Sequence, residues 1–433
     1  MHDLWNAVST NSVLEPILPI LTPGTCLVGG CVRDLLLGRP TTDFDLVTFS
    51  DVWDLTGRIG AVLGGKAFWL DRERQVARVA LKRGALTVDV SPPRGPDIAS
   101  DVSERDITIN AMALDARERR FIDPLQGMED LDHGIIRLIA EKNLLDDPLR
   151  GLRCLRFAVT LGFTLSGETG ALVRAHAGLI RGVTPERVKQ EFLKSLESPR
   201  GGAFFGLLAE TGYVHELFSS GTREGFPVDG DGLNRALDVS AWLDELLCHA
   251  NELLPGIGDL FSQELEHGLS RAAALRLAAF LAGITAVPGI GPLCRRLSLS
   301  SRAARLVGDS ISGHLAVLAL AGKEHPDRRD MHLILRDYPG SVPEMLILAA
   351  ASSGDARDTC ERLWAYYLGE FLPQQETPLV TGDDIMTVFA LGQGPRIGEC
   401  LEQVETARAS GLVSSREDAI EYLRRIISEH GAA

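Results

Sequence analysis

The stretch "LVGGCVRDLLLGRPTTDFDLVTF", Leu27 to Phe49, decides the reading of this chain. An apolar strand-like run ends on Gly29 and Gly30. A helix-like "CVRDLLLG" follows and stops at Gly38, a residue suited to ending a helix. "DFDLVTF" then reads as a second strand. Strand side chains alternate, so Asp43 and Asp45 project from one face and Phe44 from the other. Two carboxylates that close repel unless positive charge lies between them, and hard oxygen donors favour Mg²⁺. A lone D-x-D is also how many solvated strand ends look. The glycines add a second element. A backbone without side chains can approach a bulky anion and turn its N–H groups toward it, and the following helix start adds its dipole. Arg33, in the first helical turn, suits a phosphate. An isolated Gly-Gly is equally a tight turn, and no G-K-[ST] follows, so this is not a Walker loop.

Further along, "KAFWLD", "VARVALK" and "LTVDVSP" are three more strand candidates separated by turn residues. Asp89, in the last of them, can complete a carboxylate triad if its strand lies beside the D-x-D strand. Three carboxylates holding two Mg²⁺ would let one metal activate an attacking hydroxyl and the other neutralise a pyrophosphate leaving group. By itself Asp89 is equally an edge-strand charge. From about residue 140 Leu, Ala, Arg and Glu dominate at helical spacing, up to "SSREDAIEYLRRIISEH". The fold class expected is α+β. A small α/β head with an antiparallel or mixed sheet (1–139) precedes an all-α neck (140–218), body (219–370) and tail (371–433). "SSGTREGFPVDGDG" (219–232) reads as a loop between helical blocks.

The net charge of −15 disfavours indiscriminate polyanion binding, so a nucleic-acid partner would need locally concentrated basic residues. Seven scattered cysteines without C-x-x-C argue against a disulfide framework or a zinc ribbon and for buried thiols in a reducing, cytoplasmic setting. The start lacks a basic and then apolar leader pattern. The run 272–292 contains Arg276 and two prolines, and reads as a buried helix plus loop rather than a membrane span.

Taken together, the motifs resemble a known family. "LVGGCVRDLLLGRPTTDFDLVT" is similar, nearly residue for residue, to the first motif of the tRNA nucleotidyltransferases and their close relatives, the bacterial poly(A) polymerases, within the polymerase-β-like nucleotidyltransferase superfamily. "ERDITINAMALD" (104–115) resembles their second motif and "DPLQGMEDL" (123–131) the stretch that closes the head. "DDPLRGLRCLRFAVTLGF" (146–163) resembles their E-D-x-x-R motif and arginine-rich helix. "TPERVKQEFLK" (184–194) looks like the next helix, and 381–401 resembles a segment common in their tails. The resemblance covers head and neck well, the tail in part and the middle poorly.

That resemblance implies a template-free RNA nucleotidyltransferase acting at the tRNA 3′ end, using ATP, with CTP as a second candidate, and Mg²⁺. It implies that Asp43, Asp45 and Asp89 are catalytic metal ligands. Gly29, Gly30, Arg33, Asp34, Arg105, Asp106 and Asn110 would bind the nucleotide's triphosphate and ribose. Asp147 and Arg150, read as one helical face, would meet the base, because cytosine and adenine each offer an amino group beside a ring acceptor. Arg153 and Arg156 continue a basic stripe toward nucleotide or RNA, and Arg156 and Arg187 are RNA-contact candidates. Three departures stand out. Glu104 replaces a family arginine. The chain between Asp89 and Arg105 is short, as in members adding only the terminal adenosine or in poly(A) polymerases, yet the basic strand motif of the latter has no counterpart. Ala282 and Gly283 stand where relatives with a phosphohydrolase domain carry His-Asp, which implies a structural remnant without a metal site. A poly(A) polymerase, a non-catalytic RNA-binding protein and a nucleotide-sugar transferase are the rival readings.

Overall fold

The structure is a computed structural model that describes residues 2–81, 85–218, 230–284 and 289–430. Contacts divide the chain into two compact units, Met1–Ser195 with Leu207–Leu217, and Leu196–Gly206 with Phe218–Ala433.

The first unit is built on a seven-stranded mixed sheet. Its strands are β1 (Cys26–Val28), β2 (Asp43–Val47), β3 (Lys66–Asp71), β4 (Val76–Leu81), β5 (Leu86–Ser91), β6 (Ala113–Asp115) and β7 (Arg120–Ile122), in the order β3-β4-β5-β2-β1-β6-β7. All neighbours are antiparallel except β2 and β5, which run parallel, so the expected strands are present and the sheet is mixed. Helix α1 (Gly30–Leu36) leaves β1 through Gly29, and Gly38 follows it at φ +62°. Helix α2 (Val52–Leu63) starts where the Asp51 carboxylate accepts from the Asp54 N–H and stops at left-handed Gly64. The α2 side of the sheet is apolar. Phe44, Val79, Val88 and Val90 are buried, and Trp53 of α2 stacks on Trp69 at 4.9 Å. Alternation therefore leaves the other face to Asp43, Asp45, Asp89, Arg78 and Phe68.

Helix α3 (Ile98–Ser103) follows β5 after residues 92–97, a link tied down by the Arg94 N–H donating to Asp101 Oδ1 at 3.0 Å. Beyond the head, the short helix Glu141–Asp146, then α4 (Leu149–Leu161) and α5 (Pro185–Leu196), provide the neck.

The second unit is helical apart from a two-stranded antiparallel ladder of Glu264–Glu266 with Leu269–Ser270, so the body expected to be all-α carries a small β element. Its core packs α6 (Gly230–Cys248), α7 (Arg271–Ile284), α8 (Ser301–Ala321) and α9 (Val342–Ser352), with Phe280 stacked on Phe205 at 4.1 Å. Residues 219–229 of the expected loop lie outside the described residues, while 230–232 already belong to α6. By length and composition α8 could cross a membrane, but half of its apolar window is buried, and it packs on α9 in this core. At the remnant position, a Cβ on Gly283 would lie 2.5 Å from the Ala236 Cβ, so α6 fills the space that a side chain would need. The tail helices α10 (Gly382–Phe389), α11 (Pro395–Ala409) and α12 (Arg416–His430) share a small core including Ile385, Cys400, Val404 and Leu423. All seven cysteines are free thiols, and only Cys248 is exposed.

Candidate active site

Strand register assembles the acidic cluster. Asp45 pairs with Asp89 across β2 and β5, and Asp89 with Arg78 across β5 and β4, so all three stand in one cross-strand row. Asp43 lies two residues along β2 on the same face and accepts from Thr87 Oγ1 at 2.8 Å. The Asp45 carboxyl is pushed above the usual carboxylate range by burial. Arg105 opposes that shift, and Asp89 and Asp43 reinforce it. A hard divalent cation would relieve this crowding of negative charge, so the donor set at Asp43 and Asp45 fits one. Asp89 is a different matter. Arg78 grips it with both arms of the fork, Nε to Oδ1 at 2.7 Å and Nη2 to Oδ2 at 2.8 Å. The expected triad is thus corrected to two available carboxylates and a third held by an arginine. Arg78 carries no signal in the sequence, because its place opposite Asp89 depends on strand pairing.

The Gly-Gly bend meets the same place. Gly29 has φ +79° and ψ −143°, a conformation that only glycine adopts without strain. A Cβ there would lie 2.5 Å from Arg105 Nη1 and 3.3 Å from Asp45 Oδ2. Gly29, Asp45 and Arg105 therefore converge, and the bare backbone is what lets them. Arg105 Nε is buried without a hydrogen-bond partner among the described residues, while Arg105 Nη2 lies 3.5 Å from Asp101 Oδ2.

From the bend a polar network runs inward. Arg33 binds Asp34 through Nε at 2.9 Å and Nη2 at 3.0 Å, and donates from Nη1 to Asn110 Oδ1 at 2.6 Å. Asn110 Nδ2 donates to Asp106 Oδ1 at 3.1 Å, and Arg153 Nη2 lies 2.8 Å from Asp106 Oδ2. Burial alone would raise the Asp106 carboxyl, but Arg153, Asn110 and the Ile107 N–H hold it below the usual range. Arg33, Asp106 and Asn110 are all buried. They hold one another in a buried network beside the bend.

The arginine stripe also turns inward. Arg153 pairs with Asp106, while Arg156 pairs with Glu191 of α5 and covers the Phe157 ring at 3.9 Å. With its side chain only 15% exposed, Arg156 is a structural link between α4 and α5, not an open RNA contact. Asp147 and Arg150 are not on one helix. Asp147 is extended (φ −142°, ψ 95°), as the residue before Pro148 prefers, and α4 begins only at Leu149. Arg150 donates to the carbonyls of Arg105 (2.9 Å) and Glu104 (3.0 Å), and Asp147 pairs with Arg187 at 2.9 Å. Asn143, whose role the sequence did not show, also donates to the Arg105 carbonyl at 2.7 Å.

The arrangement holds paired carboxylates, a glycine bend with an arginine over it, and a separate aspartate at a helix start in one structural unit. It is the equipment for moving a nucleotidyl group. The Poly A polymerase head domain model matches residues 25–137, and the probable RNA and SrmB-binding site of polymerase A matches 162–223. The CC-adding tRNA nucleotidyltransferase of Geobacter sulfurreducens is 34% identical over 403 residues, 93% of this chain and 92% of that one. The A-adding tRNA nucleotidyltransferase of Deinococcus radiodurans is 31% identical, covering 96% and 98%. Among solved structures, a CCA-adding enzyme in complex with CTP has a TM-score of 0.74 at 22% identity, covering 98% of both chains. The Thermotoga maritima CCA-adding enzyme complexed with tRNA has a TM-score of 0.72 at 21% identity, again over 98% of both. The chain belongs to the class II tRNA nucleotidyltransferase and poly(A) polymerase family and is an enzyme of the nucleotidyltransferase type.

Proposed function

We propose that this enzyme extends the 3′ end of tRNA without a template in the cytoplasm, using Mg²⁺ and releasing pyrophosphate. The observation that carries the reading is the convergence of Gly29, Asp45 and Arg105 beside Asp43. Asp43 and Asp45 would hold the metal, which when bound supplies activation of the RNA 3′-hydroxyl and charge neutralisation at the leaving pyrophosphate. The Gly29 bend and Arg105 receive the triphosphate, with Arg33, Asn110, Asp106 and Arg153 keeping that bend rigid. Asp147 accepts from the exocyclic amino group of the base. Arg187 fixes its carboxylate, and Arg150 ties the Glu104–Arg105 backbone to the same corner. Positioning and fixed charge supply the rate, so no protein nucleophile is required.

As to the nucleotide, two relatives of 34% and 30% identity over more than nine-tenths of the chain are CC-adding enzymes, which supports cytidine addition from CTP. The 31% identical A-adding relative and the short link 92–97 favour a second reading, addition of the terminal adenosine from ATP. The test offers CTP and ATP separately to tRNAs that end before and after the two cytidines. Cytidine incorporation on the shorter tRNA supports the first reading, and adenosine on the longer supports the second. A long adenosine tail indicates a poly(A) polymerase, and no incorporation with any nucleotide overturns the proposal.

A further inference from the structure

We infer that the helix-free face of the β3–β4 hairpin seats the 3′-terminal unpaired nucleotide of the RNA, with Phe68 as a stacking platform. This rests on the tRNA-end reading above. The cross-strand row that contains Asp45, Asp89 and Arg78 continues to Phe68, which pairs with Arg78 in register. Paired residues share a face, so Phe68 lies on the same open surface as the carboxylates, three strands outward. At about 4.8 Å per strand the backbones of Asp45 and Phe68 stand about 14 Å apart, with Asp89 and Arg78 between them.

Phe68 and Leu70 are 37% and 50% exposed, whereas Trp69, pointing the other way, is used up by stacking on Trp53. Lone exposed apolar residues need no explanation, but Phe68 stands in register with the catalytic row, and Leu70, at the irregularity between Trp69 and Asp71, is a second exposed apolar side chain on the same strand. The charge around it suits RNA rather than protein. Residues 66–78 carry four basic and two acidic side chains in a chain of net charge −15. Arg78 is committed to Asp89, and Arg74 lies 3.8 Å from Asp71. Lys66 and Arg72 have no ion-pair partner among the described residues, which leaves two cations for phosphates beside an aromatic face for a base. Aromatic rings interleaved with basic residues are how sequence-tolerant single-strand sites are built. The platform is continuous with the carboxylates, and the attacking hydroxyl must lie beside them, so the strand that carries this hydroxyl is its natural occupant.

The test uses the full chain and a tRNA ending before the first added nucleotide, with 2-aminopurine as its last unpaired base. Wild type should quench the 2-aminopurine on binding. Phe68→Ala should abolish the quench and raise the KM for tRNA about tenfold, with the KM for the nucleotide unchanged, as loss of one base-aromatic stack implies. Phe68→Trp should restore both, and Trp242→Ala, an exposed tryptophan on α6, should change neither. In Lys66→Ala/Arg72→Ala the plot of log binding constant against log salt should flatten by about 1.4, the value for two single-strand phosphate contacts. A Phe68→Ala enzyme that keeps the quench and the tRNA KM overturns the inference while the function stands. A wild type that extends no tRNA overturns the function itself.

Discussion

Gly29→Ala is the most direct perturbation of the site, because the methyl group lands among the groups that the bend brings together. Two effects combine. The backbone at φ +79°, ψ −143° costs a residue with a Cβ about 1–3 kcal/mol. For a unit of this size that corresponds to about 3–10 °C in Tm. The added Cβ would also sit 2.5 Å from Arg105 Nη1, so the guanidinium must move. It cannot take its backbone along, because Asn143 and Arg150 both hold the Arg105 carbonyl. The fork therefore swings off the bend, and the site loses a preorganised charged donor, worth about 10²–10³ in rate. Gly30→Ala is the matched control. There the Cβ meets only the end of the Arg33 side chain at 3.4 Å, at the first residue of α1, where φ is not positive and alanine fits without strain. The assay is single-turnover nucleotide addition to tRNA, with Tm by calorimetry on both variants. Gly29→Ala should lose rate and Tm, while Gly30→Ala stays within a fewfold of wild type at equal or higher Tm. If Gly29→Ala retains its rate and Tm, or Gly30→Ala proves equally harmful, the bend is not what positions Arg105.

Asp45→Asn should abolish incorporation. It should leave the metal-free protein no less stable at pH 7, because the raised Asp45 carboxyl costs stability as pH rises through its ordinary range and above. Mg²⁺ should raise the Tm of wild type but not of this variant, as calorimetry with and without the ion would read. Arg78→Ala should release Asp89 to join the other two carboxylates and tighten Mn²⁺ binding about tenfold by electron paramagnetic resonance, an effect that Asp89→Ala in the same background should reverse. Arg187→Ala should leave Tm nearly unchanged, since the pair with Asp147 is half exposed. It should lower the ratio of kcat/KM for the correct nucleotide over UTP several-fold. Arg416 and the Thr381 cap hold Asp384 down to about 2 from 3.8, so the start of α10 keeps this support above pH ~4 and loses it as pH falls toward 2. Hydrogen exchange of the α10 amides across that range checks it.

The head was legible because its signals are local. Alternation put Asp43 and Asp45 on one face, and the glycine pair marked the bend. Short apolar runs between turn residues marked five strands, from Cys26–Val28 to Leu86–Ser91. The arginines misled for a physical reason. A three-residue spacing places Arg150, Arg153 and Arg156 on one side of α4, but periodicity does not say what covers that side. Asp106 and Glu191, distant in sequence, do so. Asp147 stands outside the helix because Pro148 disfavours the helical region for its predecessor, a boundary that the three-residue spacing to Arg150 does not reveal. Arg78 could not be found at all, since its partner depends on which strand lies beside which.

The same long-range contacts explain Glu104, the position where the family arginine is missing. Its side chain is exposed and has no hydrogen-bond or ion-pair partner among the described residues. What the site takes from this residue is its carbonyl, which accepts from Arg150 Nη2 at 3.0 Å while the next carbonyl accepts from Nη1. A backbone contact is indifferent to the side chain that carries it. The fork of Arg150 thus locks two consecutive peptides, and with them the start of the Arg105 side chain, whatever stands at position 104. The charge lost with the family arginine is therefore confined to the solvent side, while the cation that faces Gly29 and Asp45 stays where it is needed.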